Sequence, residues 1–104
     1  MNEMIYIKNY NTESGTVLAM CDQELIGNIY SEGKLELDLK SYSEFYVGEL
    51  INEEEVETYI EGELYSANIV GKRSVGIVVS KGIVSRDDVK EVGGVPFVHI
   101  YTMV

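Results

Sequence analysis

The sequence predicts an α+β fold: a mixed, mainly antiparallel sheet of about five to six strands, with one main helix packed on a face and a short second helix. Three observations carry this. Short runs of β-branched and aromatic residues recur along the 104-residue chain between glycine-bearing turns. One run, Lys34-Leu35-Glu36-Leu37-Asp38-Leu39-Lys40, alternates apolar and charged side chains without a fault. A third stretch, residues 52–71, carries apolar residues at helical spacing behind a capping residue.

The elements are taken in chain order. Met4-Ile5-Tyr6-Ile7-Lys8-Asn9-Tyr10 reads as a first strand. Asn11-Thr12-Glu13-Ser14-Gly15 supplies turn chemistry, and residues 16–21 return as the second strand of a hairpin. Residues 25–30 fit either a short helical turn or a third strand. Ser31-Glu32-Gly33 makes a tight turn into the alternating strand, whose three leucines face the core. Residues 41–51, with Tyr42, Phe45, Tyr46 and Val47, lack a period and read as an aromatic loop over the edge of the core.

Asn52 before Glu53-Glu54-Glu55 is a helix start, with an N-cap amide and acids at the positive end of the dipole. Val56, Tyr59, Ile60, Leu64, Ala67 and Val70 form one helical stripe, Glu63 falls within it, and Gly71 is placed to stop the helix in the left-handed region. Lys72 and Arg73 would then sit near the negative end of the dipole. Residues 74–80 are apolar on both faces, as in a central strand. Ser85 with Asp88 three residues on caps a short second helix, ended by Gly93-Gly94. Residues 96–103 form the last strand, with Pro96 at its start, and the intervening short helix implies a right-handed crossover that sets the last two strands parallel.

Composition bounds the function. The chain reads as a single domain spanning residues 1–104, without repeats, linkers or low-complexity segments. No apolar run approaches a membrane span, and the first four residues lack the basic and apolar regions of a secretory signal. One cysteine cannot form an internal disulfide, which suits a reducing compartment; the expected location is cytoplasmic. The formal net charge is −10. It is uneven: in residues 1–65 fifteen acids face only Lys8, Lys34 and Lys40, whereas residues 66–104 carry a small positive excess. Such a field opposes binding to a DNA duplex, although a local basic patch from Lys72, Arg73, Arg86 and Lys90 remains available.

The catalytic inventory is thin. His99 is the sole histidine, so a His-rich metal site is excluded, and one Cys with one His falls short of structural zinc. A nucleophilic pair would require Cys21 and His99 to meet across the sheet. Cys21 itself follows Ala19-Met20 and precedes Asp22 and Glu24, acids that raise a thiol pKa, so it reads as a buried apolar residue. Gly71-Lys72-Arg73-Ser74 is superficially similar to the end of a phosphate-binding loop, but such a loop opens a helix after a strand, whereas this segment is expected to close a helix. Asn68 either caps the helix end or presents its amide to a ligand.

Four segments, Ala19-Met20-Cys21-Asp22-x-Glu24-Leu25-Ile26-Gly27, Phe45-Tyr46-x-Gly48, Ala67-Asn68-Ile69-Val70-Gly71 and Gly93-Gly94-Val95-Pro96, together resemble an archaeal family known as domain of unknown function 424. The likeness covers nearly the whole chain in order. The family's pattern often has a histidine after the proline, where this chain has Phe97 and places His99 two residues later. The resemblance implies a small cytoplasmic archaeal protein with no established activity, loosely associated with translation components.

The functional expectation is therefore a noncatalytic interaction module for a protein or ribonucleoprotein partner, without a cofactor, metal or membrane association. The alternative is a small-molecule binder or small enzyme using the Cys21-Asp22 turn. Candidate binding residues are Cys21, Asp22, Glu24, Tyr46, Asn68, Lys72 and Arg73; no catalytic set is assigned. The sequence leaves the oligomeric state open.

Overall fold

A computed structural model describes residues 4–60 and 62–101. The strands are β1 (Ile5–Thr12), β2 (Gly15–Asp22), β3 (Ile29–Glu32), β4 (Leu35–Asp38), β5 (Glu49–Ile51), β6 (Leu64–Val70), β7 (Lys90–Val92) and β8 (Val95–Ile100). The helices are α1 (Ser43–Tyr46), α2 (Val56–Tyr59) and α3 (Lys72–Ser80), with single 3-10 turns at Gln23–Leu25, Glu53–Glu55 and Arg86–Asp88. Six strands form a mixed sheet in the order β5-β1-β2-β6-β8-β7, and β3 with β4 forms a separate hairpin. The only parallel pair in the described sheet is β2 with β6. The α+β class and the mainly antiparallel six-stranded sheet are thus as the sequence predicts.

The central strands β2 and β6 are buried on both sides, and the alternation of the sheet's strands divides the core in two. Ile5, Ile7, Leu18, Met20, Ala67, Ile69 and Val98 meet Val75, Ile77 and Val78 of α3 on the first face. Ala19, Cys21 and Val70 meet Leu37 and Leu39 near the β3–β4 hairpin and Tyr46 of α1 on the second. The aromatic stretch 41–51 resolves into α1 and the edge strand β5, with Phe45 stacked on Tyr10 at 5.1 Å. Of the three leucines in the alternating segment, Leu37 and Leu39 are buried, while Leu35 is 56% exposed beyond the end of the core.

The largest correction concerns residues 52–80, where helix and strand exchange places. The Asn52 cap is present: its side chain accepts from the Glu55 amide while the Glu55 carboxylate accepts from the Asn52 amide, closing a capping box. The helix it starts stops after Tyr59, because Gly62 interrupts the stripe and costs a helix interior about 1 kcal/mol relative to alanine. The chain then enters β6, at the centre of the sheet, where burial on both faces mimics an apolar helical stripe. Glu63 is accordingly an exposed residue before β6 whose carbonyl accepts from the Thr16 amide at 2.9 Å. Asn68 lies within a strand and caps nothing.

Residues 74–80 form most of α3, the main helix, despite a β-branched run of poor helix propensity. Gly71 precedes this helix at φ +108° and ψ +155° instead of ending one. Lys72 and Arg73 therefore stand at the positive end of a helix dipole, reversing the predicted electrostatics. Further along, the Ser85–Asp88 capping box is present, but it caps one 3-10 turn; Lys90–Val92 is a strand, and Gly93-Gly94 turns it back into β8. Arg86 and Lys90 consequently do not share a helix face. Because residues 74–80 are helical, the predicted parallel pair of final strands is absent, and the last strand is antiparallel to both its neighbours; it ends at Ile100, before Tyr101, and residues 102 and 103 of the predicted strand lie outside the described residues.

Candidate functional site

Strand alternation sends Cys21 and Asp22, neighbours in sequence, to opposite faces of the sheet. Cys21 enters the second core beside Tyr46, fully buried, and its Sγ donates to the Asp22 carbonyl. Burial, reinforced by Asp22 and Glu24, pushes the thiol up to about 12. Burial likewise raises the Tyr46 hydroxyl above its ordinary range. His99 sits on the same face, but its register partners are Asn68 and then Ala19, whereas Cys21 aligns with Val70 and then Phe97. Two strand spacings, roughly 10 Å, separate β2 from β8, so the thiol and imidazole form no pair.

Asp22 points toward α3 and is 2% exposed. Its Oδ2 accepts from the Arg73 amide at 3.0 Å; its Oδ1 accepts from the Ser74 amide at 2.9 Å and from Ser74 Oγ at 2.7 Å. A carboxylate from a distant strand thereby satisfies the unpaired amides at the start of α3 and complements its dipole. Gly71 is required by the same contact: a Cβ there would overlap the carboxyl group of Asp22, and the backbone has positive φ. The Gly71 amide in turn donates to the Pro96 carbonyl at 2.8 Å, tying β8 to the same point.

Outside this cap, Arg73 Nη1 and Nη2 donate to Glu24 Oε2 and Oε1 at 2.8 and 2.5 Å, and Nη2 also donates to the Met4 carbonyl. The hydrogen bonds from Arg73 hold the Glu24 carboxyl below its ordinary value. A cavity of about 140 Å³ lies over the junction, lined by Asp22, Glu24, Lys72, Arg73, Val95 and Pro96 among others. Four predicted residues (Asp22, Glu24, Lys72, Arg73) therefore converge, Cys21 and Tyr46 lie in the core behind them, and Asn68 stands in mid-sheet on the Cys21 face.

The Gly71–Ser74 segment does follow a strand and open a helix, contrary to the sequence expectation. A phosphate loop still does not result. The position five residues before Gly71 is Ser66, within β6, and the anion at the helix start is the protein's own Asp22. Beside the junction a second groove of about 280 Å³ runs along α3, floored by Val75, Gly76, Val79 and Pro96 and flanked by exposed Lys72 and Arg86. Lys90 lines a different groove, against β8.

Sequence reasoning missed Ser74 and the cap itself. A glycine following Ile69-Val70, with a serine three residues later, was the available signal for a strand running into a helix. Among the described residues no three His, Cys, Asp or Glu side chains are grouped to hold a metal ion, and no helix is long and apolar enough to cross a membrane.

Known proteins place the fold. The crystal structure of an uncharacterized conserved protein from Methanopyrus kandleri superposes with a TM-score of 0.72 at 26% sequence identity, covering 96% of this chain and 92% of that one. No curated protein matches the sequence. The model of the family described as protein of unknown function (DUF424) matches residues 10–103. The cap joining Cys21-Asp22, Gly71 and Pro96 brings together three of the segments that carried the resemblance, and the chain belongs to the DUF424 family.

Proposed function

We propose that this protein is a noncatalytic interaction module that binds a protein or ribonucleoprotein partner in the cytoplasm. One observation carries the reading: the polar groups that a catalytic turn would need are already used to hold the fold together. Asp22 accepts three hydrogen bonds from the start of α3, and Glu24 is paired with Arg73. Cys21 is buried as a neutral thiol. Meanwhile the surface keeps open apolar and charged grooves on either side of β8. Affinity capture from cells that express the protein, at native salt, tests the reading. A specific, stoichiometric partner is the expected result, and recovery of a clean monomer alone counts against it. Steep weakening with added salt would assign a ribonucleoprotein partner over a neutral protein contact.

A second reading rests on the α3 groove, where Lys72 and Arg86 face an apolar floor and are suited to a small anionic ligand. A thermal-unfolding screen of anionic metabolites discriminates: at a hundred times its dissociation constant a ligand adds about 2.7 kcal/mol of stability. Lys72→Glu with Arg86→Glu would abolish that gain while leaving partner capture through another surface intact.

A further inference from the structure

We propose that the outer edge of β8 at His99 receives an extended, basic segment of a partner protein, which joins the sheet as an added strand. The proposal rests on the interaction-module reading and names its surface. The backbone argument begins at the hairpin. Val92 and Val95 flank the two-residue Gly93-Gly94 turn and so form a mutually hydrogen-bonded pair. Pro96 then faces the other way, and its carbonyl indeed accepts from the Gly71 amide. Phe97 faces β7 again, opposite Lys90, and Val98 faces β6. The same alternation turns the N–H and C=O of His99 outward at the level where β7 has ended. Among the described residues no strand pairs with that edge, and the Arg86–Asp88 turn, which packs against β8, bounds it on the β7 side. Pro96, which would block an edge, points inward and protects nothing here.

Side chains around this edge suit such a guest. Phe97, His99 and Tyr101 alternate onto the second face of the sheet, with the Phe97 and His99 rings 5.1 Å apart. Together with Leu35 from the β3–β4 hairpin they line a groove of about 450 Å³, in which Leu35 is 56% and Tyr101 75% exposed. Exposed apolar side chains beside unpaired backbone groups are the pairing required for strand addition: the backbone gives the hydrogen bonds and the groove takes alternate side chains. The rim carries Asp87 and Asp88, with Lys90 at the β7 end. Both are exposed; Asp88 also accepts from the Ser85 amide, while Asp87 is not so committed. On a chain of net charge −10 this rim selects a basic segment. It also disfavours a second copy of the chain, because two-fold pairing about His99 would bring two Asp87-Asp88 rims together on two acidic molecules.

The test uses the full chain, labelled with ¹⁵N, and the peptide acetyl-Lys-Val-Lys-Val-Lys-Val-amide as probe. The expected result is a saturable shift of the His99 and Tyr101 amides with slowed hydrogen exchange at His99. The glutamate analogue of the peptide should leave these resonances unmoved. N-methylating alternate peptide amides, and separately Asp87→Lys in the protein, should each weaken binding by about tenfold or more. His99→Pro removes the outward N–H and should abolish binding; the N-methylated peptide asks the same question of the native protein if that variant does not fold. Shifts elsewhere, no shifts, or equal binding of the N-methylated peptide would overturn the proposal. So would a dimer in sedimentation equilibrium with His99 already protected, which would assign the edge to a second copy. Capture of a partner by wild type and Asp87→Lys alike would remove this edge from the interaction while leaving the module reading standing. Failure of wild type to capture any partner would remove the module reading itself.

Discussion

The junction at Asp22 closes one end of the central strands, the edge at His99 lies level with Asn68 in mid-sheet, and the two treat their polar groups in opposite ways. At the junction, the amides of Gly71, Arg73 and Ser74 each find an acceptor within the protein, and the space left over is small. At the edge, backbone groups of β8 face outward and large apolar side chains remain in solvent. A buried carboxylate must be hydrogen-bonded, whereas an exposed strand edge is tolerated because water pairs with it. The contrast shows that acids and a cysteine at a strand end do not by themselves mark a reactive site; here they mark the fold's own anchor. The open surface lies where the sequence looked plainest.

Mutations should separate these regions by size of effect. Gly71→Ala should be the most damaging, at about 3 kcal/mol or more, since it combines positive φ with a clash against the Asp22 carboxylate. Urea unfolding would measure it, and a loss below about 1 kcal/mol would mean the cap is loose. Asp22→Ala removes the cap and leaves the α3 amides unsatisfied, for an expected loss of about 2–3 kcal/mol. Asp22→Asn, which keeps one acceptor, should lose visibly less.

Glu24 gives a smaller, pH-dependent effect. Its carboxyl pKa is lowered from the ordinary 4.5 by the Arg73 hydrogen bonds, so its contribution is fully present above that value and disappears as pH falls through the folded value. Because the side chain is 58% exposed, solvent screening limits the pair to about 0.5 kcal/mol. Glu24→Gln should therefore trail wild type slightly at neutral pH and match it once the pH has fallen below the folded value of the Glu24 carboxyl. A gap that persisted in acid would mean the substitution acts through packing. Smallest of all, Leu35→Ser at the edge groove should change stability by less than about 0.5 kcal/mol. A loss of about 2 kcal/mol there would show that Leu35 belongs to the core and that the two regions are alike.

Much of the local chemistry was legible in the sequence. The hairpin of β1 and β2 follows from two β-rich runs around a glycine turn, and its register places Thr12 opposite Gly15. Both capping boxes, Asn52 with Glu55 and Ser85 with Asp88, were readable because a cap is satisfied by residues three apart. The burial of Cys21 was visible as well, since it follows Ala19-Met20 and precedes two acids, whereas the convergence of Asp22 and Glu24 with Lys72 and Arg73 was not.

The tertiary structure alone decided whether residues 64–70 and 72–80 became strand or helix. Leu64-Tyr65-Ser66-Ala67-Asn68-Ile69-Val70 lies between two strands and two cores, and a segment buried on every side satisfies a helical stripe and a strand equally well. The β-branched run of α3 has strand propensity but is held helical by a carboxylate fifty-one residues away and by burial of Val75, Ile77 and Val78 against the sheet. Neither the cap nor the sheet order is encoded within a window of neighbouring residues. Sequence by itself determined the turns, the caps and the strands of the first hairpin, because their partners lie close along the chain. The identity of the central elements, the structural role of Asp22 and the open edge at His99 depend on contacts across the whole chain, and only the folded arrangement supplies them.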